Sequence, residues 1–265
     1  MERNLLKMVK ISLVCTLGVS PPVVTEFVRY MVDGEGLPVS DVTVVATDNP
    51  VVLSGLVLVK AALASRFPKI RFHEKILPFD DVRSLEETYM FINEMGRLLA
   101  DQRRLHHVDA VHLSLAGGRK DMGITAALLA SYFGVNGVYH VIMPEVQIVN
   151  EKLEALRREI ENLASSGDPL SYYNRLKEEF DPVMYPPLGE YTVIKIPVIP
   201  YPLTMLRRIR RILTGEKLEK RAANLPDDVL IGLQASGLIR ITSKGTVYAT
   251  DLGRKVYDLL NWLEP

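Results

Sequence analysis

Between Ile11 and Ile199, short and nearly unbroken runs of Val, Ile and Leu alternate with helical segments. No other feature restricts the fold as strongly. A strand with one wet face alternates apolar and polar residues, whereas a continuous apolar run suits a strand covered on both faces. The strand candidates are Ile11–Thr16, Val42–Ala46, Ile70–Leu77, Asp109–Leu113, Gly137–Ile142 and Tyr191–Val198. Helices are expected at Pro21–Val32, Pro50–Arg66, Leu85–Leu105 and Gly123–Phe133. Their start signals are Ser20 ahead of Pro21, Asp48-Asn49-Pro50, and the capping box Ser84-Leu85-Glu86-Glu87. Strand–helix–strand alternation of this kind predicts an α/β protein, a Rossmann-like parallel sheet flanked by helices with right-handed crossovers.

Two stretches depart from that rhythm. From about 146 to 190 the chain is charged and helical (Asn150–Ala164, Leu170–Phe180), split by Ser165-Ser166-Gly167-Asp168-Pro169. It reads as a helical insert before the last strand, either a surface decoration or a lid carrying Tyr172-Tyr173 to a site. After Pro202 come a basic helix (Thr204–Leu213), a helix (Leu225–Ser236), a short hairpin and a final helix (Asp251–Leu263), which resembles part of a winged helix. We therefore expect residues 1–200 to form the sheet domain and 201–265 a winged-helix-like domain. A length of 265 residues fits this count at roughly 150 residues per domain.

Composition removes several classes of function. A single cysteine, Cys15, excludes a disulfide framework and a Cys-based zinc cluster. No apolar run approaches the roughly 18 residues of a membrane span, and the start Met1-Glu2-Arg3-Asn4 lacks a leader pattern, so a cytoplasmic protein without membrane contact is expected. Thirty-two Lys plus Arg balance 32 Asp plus Glu, which argues against a surface wrapped in DNA but leaves room for a local basic patch. His112 and His140 fall in predicted strands and read as interior residues; His106-His107 sits at a helix end.

Three predicted strand-to-helix turns share the carboxyl edge of the sheet, where ligands bind and free backbone N–H groups favour anions. The first is Thr16-Leu17-Gly18-Val19-Ser20-Pro21. Gly18 permits close approach and Ser20 offers a hydroxyl, unless that hydroxyl only caps the helix. The second is Ser114-Leu115-Ala116-Gly117-Gly118-Arg119-Lys120-Asp121-Met122. Its glycines make room for a phosphate. Its two cations stand at a helix start, where the helix dipole disfavours them, so an anion is expected to meet them. The third is Asp48-Asn49, either a base contact or a cap. Neither glycine turn is a G-x-G-x-x-G fingerprint or a Walker A loop, so nicotinamide binding and ATP hydrolysis find no support.

Taken together, Thr16-Leu17-Gly-x-Ser20-Pro21 and Ser114-x-Ala116-Gly117-Gly118-Arg119-Lys120-x-Met122 resemble the CRISPR-associated Rossmann-fold (CARF) proteins, most closely their ring-nuclease branch, over about residues 8 to 200. The resemblance implies a homodimer that binds cyclic tetra-adenylate and linearises it without a cofactor or metal, ending type III CRISPR signalling. Ser20 and Lys120 would be catalytic. Thr16, Gly18, Val19, Asp48, Asn49, Ser114, Ala116, Gly117, Gly118, Arg119 and Met122 would line the ligand site. RNA carries its own nucleophile, the 2′-hydroxyl, so an enzyme need only align it and stabilise the phosphorane. A HEPN ribonuclease effector is excluded, because no histidine follows His140. The basic stretch holds Arg207, Arg208, Arg210, Arg211, Lys217, Lys220 and Arg221 against Glu216 and Glu219. It keeps a second reading open, a cyclic-oligoadenylate-sensing transcription regulator whose C-terminal domain contacts DNA.

Overall fold

The computed structural model describes residues 9–263; the opening segment Met1 to Asn4 lies outside them. The sheet elements are β1 (Ile11–Thr16), β2 (Val39–Thr47), β3 (Arg71–Leu77), β4 (Ala110–Ser114), β5 (Gly137–Ile142) and β6 (Thr192–Ile196). They lie side by side in the order β3-β2-β1-β4-β5-β6. Helices α1 (Pro22–Arg29), α2 (Pro50–Arg66), α3 (Leu85–Arg104) and α4 (Lys120–Tyr132) make the crossovers. The first five strands are parallel. The sixth is not: β6 runs antiparallel to β5, with Ile142 opposite Thr192. The expectation of a wholly parallel sheet is corrected there. The insert leaves β5 at the carboxyl edge and returns to that same edge, and a strand starting where its neighbour ends needs no crossover.

Two cores sandwich the sheet. Leu13, Cys15, Val42, Val44 and Ala46 face α1 and α2 on one side, while Val14, Val45, Leu113 and Val138 face α3 and α4 on the other. This two-sided burial explains the unbroken apolar runs of β1 and β2. The outer strands differ. His140 and Ile142 of β5 are exposed, and β3 and β6 are exposed or half-buried at every position but Leu77. His140 is therefore not an interior residue. His112 is half-buried against Tyr139, and burial lowers its pKa.

The insert contains four short helices, α5 (Val146–Ala155), α6 (Arg157–Ala164), α7 (Pro169–Arg175) and α8 (Lys177–Met184). It is more than decoration. Leu163, Tyr173, Phe180, Met184 and Tyr185 belong to the first core. The Thr25 hydroxyl donates to the Met184 carbonyl, and the Arg29 guanidinium donates to the carbonyls of Tyr185 (2.7 Å) and Pro186 (2.5 Å).

After the sheet, α9 (Leu203–Leu213), β7 (Leu218–Glu219), α10 (Asp227–Ala235), β8 (Ile239–Ile241), β9 (Thr246–Ala249) and α11 (Asp251–Leu260) enclose a third core. Their strands form an antiparallel sheet in the order β7-β9-β8. This unit sits against the second core. Leu259 belongs to that core and closes over Gly96 of α3, where an added Cβ would stand 2.6 Å from it. Arg97 stacks on Trp262 and Lys255 on Tyr89. The end of α4 takes part too, with Tyr132 edge-on to Tyr201 and the Ser131 carbonyl accepting from the Tyr201 N–H at 2.9 Å. No helix among the described residues is long and apolar enough to cross a membrane.

One buried carboxyl gives the fold a pH signature. Glu26 of α1 is 1% exposed and its Oε2 has no hydrogen-bond partner among the described residues. Burial pushes its pKa from 4.5 up to about 7. A raised carboxyl pKa means that the folded state holds its proton more tightly. The associated stability is complete below pH 4.5 and is lost as pH rises to about 7. Glu26→Gln, which mimics the protonated form, is expected to stabilise the protein at pH 8 by on the order of 3 kcal/mol and to be nearly neutral at pH 4.5. Denaturant melts of both proteins at the two pH values check this.

Candidate functional site

The carboxyl ends of β1, β2, β3 and β4 form one rim, and the strand order reverses between β1 and β4. Here the loops after these two strands touch backbone to backbone. A Cβ added at Gly18 would stand 2.7 Å from the Gly118 nitrogen, and one added at Gly117 would overlap the Thr16 carbonyl and lie 3.0 Å from Leu17 Cα. Gly118 has φ +85°, which favours glycine. The Thr16 hydroxyl donates to the Gly117 carbonyl at 2.6 Å and lies 3.4 Å from that of Ser114. Thr16 and Ser114 are buried, so they hold the two loops together from beneath.

Above this contact lies a hollow of about 340 Å³ lined by Leu17, Gly18, Val19, Thr47, Asn49, Val52, Asp80, Asp81, Arg83, Gly118, Arg119 and Met122. Six of the sequence-derived site residues are among them: Gly18, Val19, Asn49, Gly118, Arg119 and Met122. Val19 also borders a larger neighbouring cavity of about 690 Å³, lined by Pro21, Pro50, Val51, Ser54 and Gly55 on one side and by Asn150, Leu153, Glu154, Arg157, Ile160 and Glu161 of the insert on the other. Ala116, half-buried, packs against the first core.

Ser20 is not a helix cap. The α1 cap is Pro21, with no side-chain hydrogen bond, and the helix begins at Pro22. Proline at 21 and 22 supplies no N–H donors to cap there. The half-buried Ser20 hydroxyl has no hydrogen-bond partner in the described residues and is left for other use. Helix α4 starts at Lys120, three residues before the expected Gly123, and Asp121 lies in its first turn without capping it. Lys120 is exposed at this N-terminus and has no ion pair with the described residues. Arg119, by contrast, already meets an anion: its Nε lies 3.3 Å from Asp81 Oδ1. Asn49 proves to be a cap, accepting from the Val51 and Val52 N–H groups at 3.0 and 3.4 Å. Asp48 is exposed next to it, and its own N–H donates to the Phe79 carbonyl.

Two expectations fail or widen. Tyr172 and Tyr173 are not a free stacking platform: Tyr173 is fully buried, stacked on Phe180 and donating to Asp181, and the Tyr172 hydroxyl donates to Glu159 at 2.6 Å beneath the Arg175 guanidinium. Conversely, Asp80, Asp81 and Arg83 line the hollow without forming a recognisable motif. Their only sequence signal is a charged turn after a predicted strand, on the edge already singled out.

This geometry defines the class, a doubly wound α/β protein with a hollow at its switch point, the place where such folds bind ligands. A family model described as CRISPR-associated protein NE0113 matches residues 20–225, and the chain belongs to that family. The match meets the expectation of a CRISPR-associated Rossmann-fold protein. Among curated proteins, the chain is 29% identical over 163 residues to the CRISPR system ring nuclease SSO2081 of Saccharolobus solfataricus, covering 60% of this chain and 86% of that one. Two solved structures also match, each at 12% identity. Csm6 of Enterococcus italicus bound to cyclic hexa-2′-fluoro-hexa-dAMP has a TM-score of 0.49 over 77% of this chain. Can2 of Sulfobacillus thermosulfidooxidans in complex with cyclic tetra-adenylate has a TM-score of 0.34 over 95%. The chain spans 47% and 63% of their respective lengths.

The contact between the loops yields a direct test. Gly117→Ala is expected to destabilise the protein by about 1–3 kcal/mol, as overpacking does. Gly123→Ala, whose Cβ would come no closer than 3.8 Å to its neighbour, should not destabilise it. Urea melts of the two variants compare them.

Proposed function

We propose that this protein is a ring nuclease that binds cyclic tetra-adenylate and opens it by attack of a ribose 2′-hydroxyl, without a metal. The observation that carries the reading is the backbone contact of the two glycine loops, which brings the Ser20 loop and the start of α4 to one rim. The similarity to a curated ring nuclease supports it, and so does the absence of partners among the described residues for the Ser20 hydroxyl and the Lys120 ammonium.

The chemistry follows from those two groups. The 2′-oxygen bonds to the adjacent phosphorus as the bond to the 5′-oxygen breaks. The 2′-hydroxyl proton is released, the 5′-oxygen gains a proton, and the products carry a 2′,3′-cyclic phosphate and a 5′-hydroxyl. Lys120, reinforced by the first N–H groups of α4, stabilises the charge gathering on the phosphorane. Ser20 orients the nucleophile or the phosphate by hydrogen bonding. No residue of the site is an evident general base, so slow turnover is expected.

The ring spans two copies of the rim in a homodimer. A two-fold ligand suits an isologous interface, in which each subunit offers the same loops to equivalent nucleotides. Ile124 and Leu128, one turn apart on α4 and 66% and 59% exposed, are the apolar residues we assign to that interface. The insert would border the bound ring through the larger cavity, as a wall more than a hinged lid, given its share of the core.

The regulator reading is weaker. Between β7 and the β8–β9 hairpin, the helix that would enter a DNA groove is α10, whose first turn holds Asp227 and Asp228 and which carries no cation. Arg207, Arg208, Arg210 and Arg211 sit on α9 instead.

Two measurements test the proposal. Chromatography of cyclic tetra-adenylate after incubation in EDTA should show linear products with wild type. Lys120→Ala and Ser20→Ala should each slow cleavage by about 10²–10³, the usual loss of one donor to a developing anion. Full activity in either variant, or cleavage only with added metal, contradicts the mechanism. In sedimentation, Ile124→Asp with Leu128→Asp should convert a dimer into a monomer; an unchanged mass would remove α4 from the interface.

A further inference from the structure

The geometry points to Asp81 as a positioning residue: its carboxylate fixes the Arg119 guanidinium over the glycine loops, ready for a phosphate of the ligand. The inference rests on the proposed function for the identity of that ligand.

The carboxylate is a fixed post before Arg119 reaches it. Its Oδ1 accepts from the Val82 N–H at 2.9 Å, and its Oδ2 lies 3.4 Å from Arg83 Nε. Arg83 is itself tethered, with Nη2 3.0 Å from Asp80 Oδ2. The side chain of Asp81 is 23% exposed, whereas that of Arg119 is 58% exposed. The ion pair therefore joins an anchored acceptor to a side chain that would otherwise sweep through solvent.

The Nε of Arg119 lies 3.3 Å from Asp81 Oδ1. A guanidinium has five N–H donors, more than one carboxylate takes up, so donors remain for a second oxyanion. Nothing in the helix requires the side chain. Arg119 is the cap of α4 with extended backbone, and its side chain makes no capping hydrogen bond. A cation at a helix N-terminus is opposed by the dipole, and a neighbouring carboxylate offsets that opposition. Asp81 and Arg119 both line the 340 Å³ hollow above Gly18 and Gly118. The pair thus spends the rotamer freedom of Arg119 in advance, which is how preorganisation raises affinity. The opposite arrangement, with Asp81 competing against phosphate for Arg119, would make its removal tighten binding.

A double-mutant cycle decides between them. Binding is measured by calorimetry with two probes, cyclic tetra-adenylate and inorganic tripolyphosphate, on wild type, Asp81→Ala, Asp81→Asn, Arg119→Ala and the doubles. Asp81→Ala should weaken both probes about two- to fivefold, the scale of an exposed ion pair. Asp81→Asn, which keeps an acceptor for Val82 and Arg119, should recover part of the loss. Neither change should matter once Arg119 is alanine. In turnover, Asp81→Ala should raise KM and leave kcat within about twofold, since Arg119 holds the ligand away from the reacting atoms. If Asp81→Ala does not fold, the same cycle is read with Asp81→Asn. Tighter binding in Asp81→Ala, or additive losses in the double variant, overturns the inference while ring binding by wild type stands. Failure of wild type to bind the ring while tripolyphosphate obeys the cycle overturns the proposed ligand and keeps the positioning role. Failure of both probes to bind wild type ends both.

Discussion

The rim exists because two loops meet with no side chain between them. Gly18 and Gly117–Gly118 let the backbones after β1 and β4 come within van der Waals distance, and the Thr16 hydroxyl ties one to the other from below. A Cβ at this contact would wedge the loops apart. That would widen the gap between the two strands at which the sheet reverses order, and would separate the residues proposed for chemistry. Chemistry at this rim would therefore depend on backbone packing first and on Ser20 and Lys120 second.

Around this contact the protein balances charge with care. Lys120 and the α4 N-terminus provide positive potential, while Asp48, Asp80 and Asp81 keep the rim from being a simple cationic funnel. A mixed rim of this kind favours ligands that fit the loops over any polyanion that drifts by, because a generic polyanion meets carboxylates there as well as cations.

Much of this was legible in the residues. The runs at Ile11–Thr16, Gly137–Ile142 and Pro50–Arg66 mark their elements at both ends, since a buried strand and a proline-led helix announce themselves locally. The edge strands did not. Arg71–Leu77 carries Arg71, His73, Glu74 and Lys75, and Thr192–Ile196 is mostly β-branched, yet nothing in a short segment says whether a partner lies on one side or two. The direction of β6 depended on where the insert re-enters the sheet, a tertiary fact. In the site, the glycine loops stood out because their composition is unusual. The role of Asp81 did not, because an aspartate in a turn is common and its partner Arg119 belongs to a different crossover. Tyr172-Tyr173 misled for the opposite reason: paired aromatics suggest a stacking surface, yet their hydroxyls had partners within the insert.

The seam between the sheet and the C-terminal unit bears on how the chain divides. Leu259 fills the space above Gly96, Trp262 lies on Arg97, and Tyr132 contributes to both the second and third cores. A boundary at residue 200 marks a change in composition and topology, yet it is not a cleavage plane. A chain shortened there would leave an apolar gash along α3 and the end of α4, the helix that begins at Lys120. Whatever else the last sixty-odd residues do, they are scaffolding for the helix that presents the ammonium group.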